Sequence, residues 1–310
     1  MKLMTPHISR RAALLGAASL PLVATAGKAM AAAEMLGTAT TRFNRFKLGS
    51  YEVTAILAGT RTVPNPQSIF GMNVSAQEFS KVSAANHIPD DAAQFFFTPT
   101  VVNTGPELIL FDTGLQGPAT VAALKAAGYA PEQIDTVVLT HMHGDHIGGL
   151  MTDGAPTFAN ARYVTGAVEY DTSAASENER FDKMVRPLAE NMTMLDDGGT
   201  VASGITAMAA FGHTPGHMAY RIESNGQQLV LGADFANHYV WSLAYPDWEV
   251  KFDRDKAAAA QTRRRMLEMM AAETIPFIGY HMPFPAMGYV ETRGDGFHYV
   301  PASYQMMLQG

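Results

Sequence analysis

The sequence contains no cysteine among its 310 residues. Disulfide bonds, thiol nucleophiles, thiolate metal ligands and iron–sulfur clusters are therefore excluded, so any metal site must use histidine, aspartate or glutamate. Charged residues are also scarce at 16%, whereas hydrophobic residues make up 47%. In a chain long enough to bury a large core, this balance indicates a folded globular protein rather than a disordered one.

Positively charged residues are fewer than negatively charged ones. Lys and Arg total 22 against 29 acidic residues, which gives a formal charge of −7. Four of the basic residues, Lys2, Arg10, Arg11 and Lys28, lie near the N-terminus, so the rest of the chain is more acidic still. A protein with this net negative charge does not attract phosphate backbones, so nucleic acid is not an expected partner.

The N-terminal segment has the pattern of an export signal. Ser9-Arg10-Arg11 precedes a weakly apolar stretch at residues 12–26, and small residues between positions 26 and 33 offer cleavage sites. The paired arginines resemble the bacterial Tat signal. The Sec route and an uncleaved cytosolic tail are the alternatives.

This pattern predicts a cleavable signal with a short linker at residues 1–33 and a single domain over residues 34–310. The mature protein is then expected in the periplasm. The apolar stretch is too short and too rich in alanine for a stable membrane span, and no other segment approaches that length.

Strand and helix patterns alternate along the remaining chain. A β-hairpin is predicted from residues 94–103 and 107–112, across Thr104-Gly105. An amphipathic helix is predicted at 117–127, followed by the buried strand 136–139. This order is typical of an α/β fold, in which functional side chains gather at the carboxyl ends of strands.

The second half yields three further predictions. Residues 167–191 have a polar helical pattern, and we expect them to lie across a pocket mouth. The longest helix is predicted at 254–272, with Arg263-Arg264-Arg265 interpreted as a solvated face. Residues 274–279 are predicted to form the final buried strand.

Three histidines and an aspartate lie close together directly after the predicted strand 136–139. They are His141, His143, Asp145 and His146. A loop starting at Thr140 can turn the first two histidines toward one ion and leave the other pair for a second. Imidazole nitrogens and carboxylate oxygens suit zinc, with manganese, iron and cobalt as alternatives. A solvated histidine-rich loop without metal is the alternative interpretation.

Further candidate donors follow other predicted strands. A turn stiffened by glycine and proline carries His213 and His217, Asp234 follows an apolar strand, and His281 follows the strand at 274–279. Side chains just past the ends of strands can converge on one rim of a sheet. Together with the first cluster, they complete the donor set for a metal centre.

The spacing of these residues resembles the metallo-β-lactamase superfamily of metal-dependent hydrolases, as does Phe111-Asp112-Thr113-Gly114 ahead of the cluster. Segments 102–105, 212–217, 281–285 and 296–304 resemble its branch of methyl parathion hydrolase and lactonase-like enzymes. The resemblance covers nearly all of the mature chain. It implies an α/β fold of the four-layer αββα type, with two divalent metal ions, zinc first among them, at one edge.

Carried over position by position, the resemblance implies two metal sites that share one carboxylate. The ligands of the first metal would be His141, His143 and His213. The ligands of the second would be Asp145, His146 and His281, with Asp234 bridging both. His217 would then lie outside the ligand set, and Asp112 would accept a hydrogen bond from a ligand histidine.

The implied reaction is hydrolysis by a hydroxide shared between the metals, which attacks a carbonyl carbon or a phosphorus. Asp145 is the implied catalytic residue that passes a proton to the leaving group. The expected substrate is a small lactone, ester or organophosphate triester. Lactone-cleaving relatives often have a tyrosine three residues after the bridging aspartate, whereas this chain has Asn237, so protonation of the leaving group is left open.

Six aromatic residues near predicted loop or strand ends are candidates for the pocket wall: residues 95–97, Trp241, Tyr245 and Trp248. Because most buried aromatics belong to cores, we expect two of the six to line the pocket. An aromatic wall favours aryl or acyl-chain substrates over charged sugars.

Three other functions stay open on the sequence alone. The cysteine-free subclass of β-lactam hydrolases and a mononuclear iron oxidoreductase use the same scaffold. A metal-binding protein without catalysis is the third. A homodimer is expected only by analogy with relatives.

Overall fold

The computed structural model describes residues 38–303. The predicted signal at residues 1–33 lies outside this range, so the signal and the periplasmic location stay predictions. The fold below belongs to one compact unit that begins at Thr41. Within the described range, no helix is long and apolar enough to cross a membrane.

The first of two large sheets contains seven strands in the order β1-β2-β5-β6-β7-β10-β11. Its first four strands are antiparallel, and the pairs from β6 to β11 are parallel. The strands are β1 Phe43–Leu48, β2 Tyr51–Ile56, β5 Thr100–Asn103, β6 Leu108–Phe111, β7 Thr136–Leu139, β10 Arg162–Gly166 and β11 Met192–Leu195.

The second large sheet runs in simple chain order from β12 to β18. Its strands are β12 Thr200–Ala202, β13 Ile205–Ala209, β14 Met218–Ser224, β15 Gln227–Ala233, β16 Phe277–Gly279, β17 Met287–Arg293 and β18 Gly296–Pro301. The prediction that 274–279 is the final strand is wrong. Two more strands form a hairpin closed at Gly294, whose φ of 60° suits glycine, and that hairpin extends the sheet beyond β16.

Two two-stranded sheets are separate from these: β3 Gly59–Pro64 with β4 Ala92–Phe97, and β8 Met151–Thr152 with β9 Ala155–Pro156. The predicted hairpin between 94–103 and 107–112 is therefore half wrong. β5 and β6 do pair as expected, but the preceding segment forms a separate strand, β4, that pairs with β3. Pro99 lies at this break, where a residue without an N–H interrupts the strand ladder.

Six α-helices complete the described structure: α1 Ala76–Ala85, α2 Gly117–Ala126, α3 Gly144–Ile147, α4 Ala167–Ala174, α5 Glu179–Met184 and α6 Lys256–Glu273. Short 3-10 turns cover Pro66–Ser68, Pro131–Gln133 and Arg186–Asn191. The side chain of Asp255 accepts a hydrogen bond from the Ala258 amide and caps α6. The predicted segment 167–191 is divided into α4, α5 and the last 3-10 turn.

The two large sheets pack face to face with helices on their outer faces. Along β7, Val138 points into the core between the sheets, whereas Val137 and Leu139 belong to a second cluster with Leu124 of α2 and Phe181 of α5. On the other side, α6 packs its buried face against the second sheet. The predicted αββα sandwich is confirmed.

Strand ends place the polar candidates at one edge of this sandwich. β7 ends at Leu139 before the histidine loop, and β15 and β16 run parallel and end before Asp234 and His281. The register between β15 and β16 shifts at Ala233, which has a φ of 47°. This conformation is costly for alanine, and it occurs in the residue that delivers Asp234.

Candidate active site

The loop after β7 is held by contacts of its own glycines and carbonyls. The carbonyl of His146 accepts hydrogen bonds from the Thr113 amide at 2.7 Å and the Thr113 hydroxyl at 2.8 Å. A Cβ on Gly149 would lie 2.0 Å from the carbonyl oxygen of Thr113. Only glycine allows this close approach, so the loop is fixed against the segment that follows β6.

Seven side chains predicted from the sequence come together here in three overlapping groups. In each group the candidate ligand atoms lie within 4.8 Å of one another. The groups are His141, His143 and His213; His141, His146 and Asp234; and Asp145, His146 and His281. The structure therefore brings every predicted ligand to one place.

Asp234 lies between the two outer groups. Its Oδ2 is 3.5 Å from Nε2 of His213 on one side and 3.2 Å from Nε2 of His281 on the other. Its Oδ1 is 3.4 Å from Nε2 of His146. One carboxylate thus faces histidines of both groups, which is the position needed for a shared ligand.

The donor atoms fit a pair of cations. Nε2 of His213 and Nδ1 of His143 are 2.9 Å apart, a separation that two bare nitrogens tolerate only with a proton or cation between them. Nε2 of His141, Nε2 of His146 and Oδ1 of Asp234 are buried and have no hydrogen-bond partner within residues 38–303. Such orphaned buried atoms are costly unless something binds them, and a metal ion would do so.

Hydrogen bonds on the outer side of the cluster orient the histidine rings. Asp112 accepts from Nδ1 of His146 at 2.8 Å, and the Phe96 carbonyl accepts from Nδ1 of His281 at 2.8 Å. Both bonds direct Nε2 inward. His217 accepts the Asp234 amide through Nε2 at 3.1 Å, so it holds the backbone of Asp234 instead of joining the donor groups.

Electrostatics keep the carboxylates of the cluster charged. Burial raises the pKa of Asp145, but the charge of His146 and the hydrogen bond with His281 outweigh it and hold the pKa near about 2. Burial and then the charge of neighbouring His213 lower the pKa of His143 to about 3. Anionic Asp145 and neutral His143 are the forms that bind metal ions. Burial lowers the pKa values of His146 and His281, but nearby aspartates outweigh it and raise them, so these two histidines must lose a proton when a metal ion binds.

A buried ion pair behind His213 was missed by the sequence interpretation. Asp253 accepts a hydrogen bond from Nδ1 of His213 at 2.9 Å and one from Nη1 of Arg263 at 2.7 Å. The Arg263 side chain is 1% exposed and also donates to the Pro246 carbonyl at 2.7 Å. The prediction of a solvated arginine face is therefore wrong for Arg263, because α6 turns this residue inward while Arg265 stays exposed.

Glu169 is a second residue that the sequence analysis missed. This buried carboxylate at the start of α4 accepts from the Met142 amide at 2.8 Å, the Thr214 hydroxyl at 2.7 Å and the Gly216 amide at 3.0 Å. It therefore ties the loop after β7 to the loop after β13. Burial raises the pKa of Glu169, against the opposing effect of these three bonds.

We expect Glu169→Gln to lower the free energy of unfolding by about 1–3 kcal/mol, because an amide leaves one of the three buried donors without an acceptor. Urea denaturation of the two proteins measures the difference. Glu179→Gln is the matched control, since the Glu179 side chain is 91% exposed. Equal stability of the two variants would show that Glu169 does not brace the loops.

A cavity of about 340 Å³ opens beside the cluster. Its apolar lining is Val63, Ile69, Phe95, Phe97, Leu115 and Phe252, and its polar lining includes His143, Asp145, Asp234 and His281. Of the six aromatic candidates, Phe95 and Phe97 line this cavity, and Phe96, next to them on β4, faces a different one with Trp241. The predicted number, two of six, agrees with the structure.

The position of the expected tyrosine is also informative. Asn237 is buried, and its side-chain atoms have no hydrogen-bond partner within residues 38–303. It is absent from the cavity lining, and none of the tyrosines in the described range lines that cavity either. A side chain able to protonate a leaving group is therefore limited to residues already in the cluster or at its rim.

The fold and this site define a class of protein: an αββα sandwich with a histidine–carboxylate centre suited to two metal ions at one edge. A family model described as the metallo-beta-lactamase superfamily matches residues 98–279. The chain belongs to this superfamily, as its sequence pattern predicts, and the family agrees with the expected metal-dependent hydrolase.

Comparison with curated proteins finds N-acyl homoserine lactonases. The Bacillus cereus protein is 32% identical over 111 residues, and the match covers 36% of this chain and 42% of the lactonase. A match of 31% identity over 111 residues is found with the lactonase AiiA of Bacillus thuringiensis subsp. kurstaki, again covering 42% of that protein. The matched region thus spans less than half of these relatives.

Solved structures resemble the chain over a larger part of its length. AidC, a dizinc quorum-quenching lactonase in complex with a product N-hexnoyl-L-homoserine, gives a TM-score of 0.78 at 25% identity and covers 84% of this chain and 97% of AidC. The hydrolase AbOPH gives a TM-score of 0.77 at 23% identity, covering 86% of this chain and 99% of AbOPH. The second likeness shows the fold alone.

Proposed function

We propose that this chain is a dinuclear metal-dependent hydrolase that cleaves a lactone, an ester or an organophosphate triester. The observation that carries the proposal is the position of the Asp234 carboxylate, in contact with histidines of both donor groups beside an aromatic cavity. The proposed ligands are His141, His143 and His213 for one ion, Asp145, His146 and His281 for the other, and Asp234 for both.

When bound, two divalent ions, zinc foremost, supply a nucleophilic hydroxide at neutral pH and polarise the scissile carbonyl or phosphoryl oxygen. The chain's own residues hold the substrate and move the proton. The Asp145 side chain is 22% exposed, against 4% for Asp234. Asp145 is therefore the more exposed of the two carboxylates that line the cavity, and we assign it the proton transfer to the leaving group.

A lactone is the first substrate class to test. The two curated relatives described above and the neighbour AidC are lactonases. An apolar wall that includes Phe95 and Phe97 suits an acyl chain.

Aryl esters and aryl organophosphates are the second substrate class, because Asn237 occupies the position where lactone-cleaving relatives often have a tyrosine. With no tyrosine of the described range in the cavity lining, an activated leaving group that needs little protonation is the easier substrate.

The test is a hydrolysis panel run with measured metal content. We expect zinc-loaded protein to cleave an N-acyl homoserine lactone, para-nitrophenyl acetate or methyl parathion at least about 100-fold faster than chelator-treated protein. Nitrocefin in the same panel tests the β-lactam alternative. Full turnover after metal removal, or one iron per chain with no hydrolysis, would contradict the proposal.

A further inference from the structure

Two arginines line the cavity beside the cluster, Arg61 and Arg180. Neither makes an ion pair with a carboxylate within residues 38–303. Arg162, Arg186 and Arg264, by contrast, each contact a carboxylate on the protein.

Strand register places Arg61 on the wall of the cavity. Arg61 on β3 pairs directly with Phe95 on β4, and Val63 pairs with Ala93. Directly paired residues share a face of a sheet, so Arg61 lies with Val63, Phe95 and Phe97 on the face that lines the cavity. The guanidinium is therefore presented beside the apolar wall.

Helix α5 brings Arg180 over the histidine loop from the other side. A Cβ built on Gly144 would lie 2.6 Å from Nη1 of Arg180, so the guanidinium rests directly on the backbone between His143 and Asp145. Its Nη2 donates to the Leu115 carbonyl at 3.2 Å. This bond uses one of the five donors of a guanidinium and leaves others for a ligand.

The geometry points to a substrate that carries a carboxylate in addition to the bond that is cleaved, and this inference rests on the proposed hydrolase function. A planar guanidinium matches the two oxygens of a carboxylate, and the cavity offers two such groups, neither of which is ion-paired within residues 38–303. The carboxylates that do line the cavity, Asp145 and Asp234, are turned toward the histidine cluster. A neutral lactone or triester would leave both guanidinium groups without an anionic partner.

The first test compares two esters of matched shape, para-acetoxybenzoate and para-acetoxybenzamide, on zinc-loaded protein. We expect the carboxylate to be preferred in kcat/KM by about tenfold. The ratio should fall toward one in the double variant Arg61→Gln/Arg180→Gln. Arg42→Gln is the control, since Arg42 is exposed and does not line the cavity.

A binding measurement decides the inference even if neither ester is hydrolysed. Calorimetry with phenylacetate and phenylacetamide on the same zinc-loaded proteins should show tighter binding of the carboxylate, and the double variant should lose that preference. A carboxylate bound by zinc alone would keep its preference in the double variant, which would overturn the inference. Hydrolysis of the esters with no preference for charge would overturn it as well, while leaving the proposed hydrolase function intact.

Discussion

Asp234→Asn is expected to lower kcat/KM by about a thousandfold while the protein keeps its fold. The carboxylate has one oxygen 3.2 Å from Nε2 of His281 and 3.5 Å from Nε2 of His213, so both proposed metal sites depend on its charge. An amide has the same shape but places an uncharged oxygen and an N–H donor at these positions. The variant should therefore lose metal as well as activity, whereas its packing is preserved.

The measurement combines kcat/KM with metal content and circular dichroism of the same preparations. Asp171→Asn is a suitable control, because Asp171 is an exposed residue of α4 outside the cavity lining. A metal-poor Asp234→Asn protein with nearly normal turnover would refute the dinuclear mechanism. If activity is lost while the metal content stays normal, Asp234 acts in the reaction and is not needed for metal binding.

The donors of this site could be predicted from the sequence because each lies just past a recognisable strand. β7 was predicted with its observed bounds, Thr136–Leu139, and an apolar run also marked the strand before Asp234. Strand ends carry positional information, since neighbouring parallel strands finish at one edge of a sheet. The pattern therefore indicated the convergence without any knowledge of distances.

The residues that support the donors could not be predicted in the same way. Arg263 lies in a run of three arginines, and nothing in its local pattern distinguishes the buried one from its neighbours. Its burial depends on Asp253, which precedes α6 and contacts His213 across 40 positions of the chain. Glu169 likewise joins Met142 and Gly216, which are far from it in sequence. Side-chain pairs of this kind are set by tertiary packing and leave no periodic signal.

Arg263→Met is expected to lower the free energy of unfolding by about 3–5 kcal/mol, because Asp253 is left buried without its cationic partner. Arg264→Gln provides the control within the same triplet. The ion pair of Arg264 with Asp247 is partly exposed, the Asp247 side chain being 58% accessible, and such pairs contribute about 1 kcal/mol or less. Urea denaturation at neutral pH measures both variants.

The loss caused by Arg263→Met should also depend on pH. Burial raises the pKa of Asp253, but the hydrogen bond of His213 and the charge of Arg263 outweigh it, so the pKa lies below its usual range. A carboxyl group with a depressed folded-state pKa adds stability above its unfolded pKa of about 3.9, and that stability is lost as pH falls through the folded value. The stability gap between wild type and variant should therefore narrow as the pH is lowered below about 4.

A double substitution distinguishes a role of Asp253 in orienting the His213 ring from a role in stability alone. In Asp253→Leu/Arg263→Met both buried charges are absent, and most of the lost stability should return, since apolar replacement of a buried pair is often neutral. His213 nevertheless lacks the acceptor for Nδ1, so zinc affinity should stay about 10- to 100-fold below wild type in competition with a chelating dye. Recovery of zinc affinity together with stability would mean that Asp253 serves the fold alone and does not orient His213.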